Sequence, residues 1–75
     1  MTFYQFMMTF RDGNIKHDEK SKLANWMFSD HNFPKHSTDY EEISRYLETY
    51  SPFLNALSVF DEVWDQYELK LNLLH

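Results

Sequence analysis

The stretch Ser58-Val59-Phe60-Asp61-Glu62-Val63-Trp64-Asp65-Gln66-Tyr67-Glu68-Leu69-Lys70-Leu71 decides how the rest of this 75-residue chain is read. Phe60, Val63, Trp64, Tyr67 and Leu71 recur at spacings of three and four, which places them on one face of an α-helix; a strand would alternate every second residue. Asp61, Glu62, Asp65 and Glu68 fall outside that face and are expected to meet water. Ser58 followed by Asp61 resembles a helix cap, so the helix is predicted to open there.

Working back toward the N-terminus, the same period recurs. Thr38 with Glu41 reads as a capping box, opening a helix with Tyr40, Ile43, Leu47 and Tyr50 on one stripe. Ser51-Pro52 reads as an N-cap and first helical residue, which makes Phe53 to Leu57 a short helical turn. Pro34 forces Phe33 into an extended conformation, so Asp30 to His36 is a loop. Phe33 within it is expected to plug the core. Asp18 is expected to cap a helix that carries Leu23, Trp26 and Met27 inward and runs out near Asp30. Thr2 with Gln5 is a capping box for a first helix bearing Phe3, Phe6, Met7 and Phe10, stopping at the polar turn Arg11-Asp12-Gly13-Asn14. The expectation is an all-α fold, a compact irregular bundle of four to five helices in one domain spanning residues 1–75. Composition agrees, because one glycine and two prolines are too few for the tight turns of sandwiches and barrels.

Seven Phe, five Tyr and two Trp are a large apolar supply for so short a chain. A domain of this size needs most of such rings inside to offset the entropy of folding, so they indicate a core before they indicate a stacking platform. Cysteine is absent, which removes disulfides, thiolate metal sites and thiol catalysis, and fits a reducing compartment. No basic stretch followed by a long apolar run opens the chain, so a cytoplasmic protein is expected.

Four blocks occur in order: Phe3-Tyr4-x-Phe6 with Arg11; Phe33-Pro34-Lys35; Tyr40-x-x-Ile43-Ser44-x-Tyr46-Leu47-Glu48; and Phe60-Asp61-x-x-Trp64-x-x-Tyr67. This pattern resembles the YozE-like family of small, uncharacterised bacterial proteins over nearly the whole chain. The resemblance implies a bundle like the sterile alpha motif (SAM) and no assigned activity. Folds of that shape serve protein contacts in some proteins and nucleic-acid contacts in others.

The residues carry no sign of catalysis. No serine sits on a glycine-flanked elbow and no Gly-rich loop could cradle phosphates. His31 and His36 lie five apart in a proline-containing loop, not at the i, i+4 spacing of a helical metal pair, and His17 and His75 are isolated. Catalytic residues, cofactors and metals are therefore expected to be none.

Charge is more informative. The net charge of −5 divides into +1 up to His36 and −6 beyond it. Asp65 lies four residues after Asp61 and three before Glu68, and each like-charge neighbour costs roughly 0.2–0.5 kcal/mol on a helix. Asp61 and Glu62 sit in the first predicted turn, where the helix dipole favours them; Asp65 and Glu68 do not. Three readings stand side by side: a solvated acidic face, a docking face for a cationic protein partner, or internal pairing with Arg11, Arg45 or Lys35. The functional expectation is a non-catalytic protein-interaction module using Asp61, Glu62, Asp65 and Glu68. The alternative is nucleic-acid binding through Lys16, Lys20, Lys22 and Lys35, although ordinary solubilising lysines explain these equally well. Leu69 and Leu73 form a second apolar strip. They either pack on the first helix, the preferred placement, or face a second chain in a homodimer.

Overall fold

The computed structural model describes residues 1–11 and 18–73. Four helices follow one another: α1 Phe3–Met8, α2 Glu19–Ser29, α3 Tyr40–Thr49 and α4 Ala56–Leu73. The turn expected at Gly13, together with Lys16, His17, Leu74 and His75, lies outside the described residues. No strand occurs among those described, in keeping with the all-α reading.

α4 is the axis of the fold, and α1, α2 and α3 all pack against it. Its inward face is the one read from the sequence. Phe60, Val63, Trp64 and Tyr67 are buried, and Leu71 is partly covered at the end of the stripe. A helix of only six residues is far too short to persist alone. α1 is held by its apolar face instead, because Phe3, Phe6 and Met7 are buried against α2 and α4. Phe3 is the hub of an aromatic cluster, with its ring centroid 5.3 Å from Phe60, 5.0 Å from Trp64 and 5.5 Å from Tyr67. The Tyr67 hydroxyl donates to the Met1 carbonyl at 2.6 Å and ties the chain start to α4. Phe33 plugs the core from its loop at 4% exposure, packed among Tyr4, Trp26 and Tyr46.

The caps of α1 and α2 follow the sequence. The Gln5 amide donates to the Thr2 hydroxyl at 3.2 Å while the Gln5 side chain accepts from the Thr2 amide at 3.0 Å. The Asp18 carboxylate accepts from the Lys20 amide at 2.9 Å.

Three starts differ. α3 is capped by Asp39, not Thr38: its carboxylate accepts the Glu41 amide at 3.1 Å, and its own amide donates to the Ser37 hydroxyl. Asp is at least as good a cap as Thr, and one step of register separates the two choices. Residues 51–55 form turns rather than a short helix, because the Ser51 hydroxyl donates to the Phe53 carbonyl and does not accept an amide. α4 begins at Ala56, so Ser58 and Asp61 lie inside it and not at its cap. The amide of Ala56 reaches the Phe53 carbonyl, and that of Val59 the Asn55 carbonyl, which starts the ladder earlier. Asp39→Ala is expected to cost about 0.5–2 kcal/mol in urea unfolding. Thr38→Ala is expected to cost much less, and the reverse order would restore the sequence register.

Candidate functional site

Asp61, Asp65 and Glu68 stand on one stripe of α4, at i, i+4 and i+7. The residue within that stripe that turns toward the core is Trp64. Together with Tyr40 from the first turn of α3, these residues line an open groove of about 560 Å³. Tyr40 was expected to be a core residue, yet 39% of it is exposed. Its ring stacks on Phe60 at 5.2 Å and meets Trp64 edge-on at 5.4 Å, forming a wall. Its hydroxyl donates to the Asp61 carboxylate at 2.5 Å. That hydrogen bond, then desolvation and the Asp61 charge, push the Tyr40 phenol above its ordinary value. The groove is therefore half aromatic and half anionic, and among the described residues no lysine or arginine lines it.

The fourth acidic residue goes elsewhere. Glu62 points around α4 to α2 and pairs with Lys20 at 3.4 Å. Internal pairing thus reaches the acidic helix through Lys20 rather than through the partners considered from sequence. Arg11 lies over the Phe28 ring at 3.6 Å and donates to Asn25, while Arg45 pairs with Glu41 along α3. Lys35 sits 5.4 Å from the Tyr4 ring centroid.

The three described members of the basic set face different neighbours. Lys20 faces Glu62 and the Phe10 ring, Lys22 lies above Phe53, and Lys35 stands over Tyr4 on α1. What sequence reading missed is the company that Tyr4 keeps. Tyr4, Met8, Arg11, Asn25 and Phe28 border a second recess, of about 540 Å³. His31 and His36 border a further shallow recess with Glu42. Among the described residues no group of three or more His, Asp or Glu could hold a metal ion.

Leu69 and Leu73 do not pack on α1; they are 62% and 84% exposed. Both lie off the stripe of Trp64, Tyr67 and Leu71, around α4 from the face that packs on the core. Tyr50, read as part of the α3 core stripe, is also on the surface, at 58% exposure. No helix among the described residues is long and apolar enough to cross a membrane.

At the other end of α3 the Tyr46 phenol is pushed up to about 12, by burial first and by its hydrogen bond to Asp30 second. In the unfolded chain it ionises near pH 10. Between those values the unfolded state has released a proton that the folded state keeps, so stability is present below pH 10 and falls as pH rises toward about 12. Alkaline unfolding followed by circular dichroism is expected to show this loss. Tyr46→Phe is expected to flatten it, and an unchanged slope would place the loss on other groups.

The four helices around an aromatic core, with an acidic groove at the α3–α4 junction, define a small helical domain of the SAM-like class. The chain belongs to the YozE SAM-like family, whose model matches residues 2–69. It is 45% identical over 71 residues to the UPF0346 protein YozE of Bacillus subtilis, covering 95% of each chain. It is 49% identical over 67 residues to a UPF0346 protein of Limosilactobacillus reuteri, covering 89% of this chain and 90% of the relative. A UPF0346 protein of Geobacillus kaustophilus is 46% identical over 66 residues, with 88% and 90% covered.

Proposed function

We propose that the groove formed by Tyr40, Trp64, Asp61, Asp65 and Glu68 docks a cationic, partly apolar segment of a partner protein, and that the chain is a non-catalytic interaction module of the cytoplasm. The observation that carries this reading is the combination of three carboxylates with two ring walls and, among the described residues, no lining cation. Asp65 and Glu68 raise the energy of α4 by mutual repulsion, and because α4 starts at Ala56 its first turn holds no acidic residue, so the dipole does not favour Asp61 and Glu62 either. A basic partner relieves that repulsion, and the rings give its apolar side chains a surface to cover. The test is capture of partners from bacterial extract by the wild type and by Asp65→Asn/Glu68→Gln. The reading requires at least one partner to be lost from the variant, and an unchanged set defeats it.

A second reading rests on the recess bordered by Tyr4 and Phe28, where Arg11 lies on Phe28, with Lys35 over the Tyr4 ring beside it. Rings flanked by cations suit single-stranded nucleic acid. Such binding weakens steeply with salt. The overall charge of −5 opposes it, and Glu62 already occupies Lys20.

A further inference from the structure

α2 and α3 both end at the same place. Ser29 and the C-cap Asp30 close α2, Thr49 and the C-cap Tyr50 close α3, and all four border an open recess of about 660 Å³. Each helix presents the negative end of its dipole there, and neither carries a basic residue in its last turn to offset it. The carboxylates of Asp30 and Glu48 add two formal charges. Among the described residues no lysine, arginine or histidine lines the recess.

The remaining wall is aromatic. Trp26, Tyr46 and Tyr50 form a chain of rings, with centroids 6.2 Å apart for the first pair and 4.8 Å for the second. The Tyr46 ring is fixed in place, because its hydroxyl donates to Asp30 at 2.5 Å. The other Asp30 oxygen accepts from the Asn32 amide. A carboxylate has roughly four acceptor positions, so Asp30 keeps capacity for further donors. Ring faces, carboxylates and helix C-termini all favour positive charge. The ring faces also favour a flat, weakly hydrated cation over a compact, strongly hydrated one, and the many acceptors favour a cation with several N–H donors. A guanidinium meets both conditions; a lysine ammonium is compact and tightly hydrated, and a quaternary ammonium has no donor.

We propose that this recess binds an arginine side chain of a partner protein, with the guanidinium stacked on the Tyr50 and Trp26 rings and its N–H groups directed to Glu48, Asp30 and the carbonyl ends of α2 and α3. The site lies at the opposite end of α3 from Tyr40, and it stands whether or not the α4 groove docks a partner.

The test is an amide NMR titration of the full chain with N-acetyl-arginine methylamide. The lysine and citrulline counterparts serve as controls, citrulline being the neutral isostere. Shifts are expected at Ser29, Asn32, Thr49 and Ser51 with the arginine probe, smaller ones with lysine and none with citrulline. Glu48→Gln and Tyr50→Ala alter exposed side chains and leave the core untouched. Each is expected to weaken the arginine probe about two- to fivefold, and the pair about tenfold. Equal shifts from citrulline overturn the proposal, as does undiminished binding to the double variant. Shifts confined to Tyr40, Asp61, Asp65 and Glu68 also overturn it, while leaving the α4 groove as the docking site.

Discussion

Phe3→Ala is expected to remove a large share of the protein's folding stability and to lower its melting temperature steeply. Removing a fully buried phenylalanine costs about 3–5 kcal/mol, and a chain of this length has roughly 4–11 kcal/mol of stability in total. The effect is expected at the upper end of its range, because Phe3 touches Phe60, Trp64 and Tyr67 at once and sits on a helix that has no independent stability. Losing that anchor frees α1, and with it the cover over the middle of α4. Each kcal/mol corresponds to about 4–8 °C in melting temperature for a domain of this size, so a drop of at least about 12 °C is expected in a thermal melt. A drop of only a few degrees would mean that α1 is peripheral to the core.

Neutralising Asp61, Asp65 and Glu68 together, as Asn, Asn and Gln, is expected to weaken a cationic partner about threefold to a hundredfold. Partly exposed ion pairs contribute about 0.2–1 kcal/mol each, so three acting on one segment reach about 0.6–3 kcal/mol. Most of the steering of a basic partner toward the groove is lost with them, so the association rate should fall and lose its salt dependence. Stability should change little, because the relief of like-charge repulsion along α4 is offset by a weaker hydrogen bond from the Tyr40 hydroxyl to residue 61. Stopped-flow or surface-binding kinetics at low and moderate salt read both effects. A variant that binds as fast as the wild type at low salt would place the docking surface elsewhere.

Helical periodicity made the core legible in the sequence, as Phe3, Phe6, Met7, Leu23, Met27, Ile43, Leu47 and the α4 stripe show. The plug role of Phe33 followed from Pro34, which extends the residue before it. Helix starts were less legible where two good caps are adjacent: Thr38 and Asp39 differ by one residue, and the structure uses Asp39, whose own amide is held by Ser37. Ser58 misled because a serine cap is a local signal, while the start of α4 is set by amides bonding back to Phe53 and Asn55. The groove was half visible. Spacing brought Asp61, Asp65 and Glu68 onto one stripe, but the Tyr40 wall depends on how α3 crosses α4, which one-dimensional spacing does not encode. The pairing of Lys20 with Glu62 is hidden for the same reason: forty-two residues separate them in the chain. Leu69 and Leu73 were read as covered because a leucine strip usually is, but they lie around α4 from the buried stripe of Trp64, Tyr67 and Leu71.

The central claim is that the anionic, ring-walled face of α3 and α4 is the docking surface. An amide NMR titration with a short basic amphipathic peptide, run beside duplex DNA and single-stranded RNA at low and moderate salt, tests it most directly. The account predicts peptide-induced shifts at Tyr40, Asp61, Trp64, Asp65 and Glu68, with the spectrum unmoved by either nucleic acid. Salt-sensitive shifts at Arg11, Lys22, Phe28 and Lys35 on adding RNA or DNA, with the α4 groove silent toward the peptide, would contradict it.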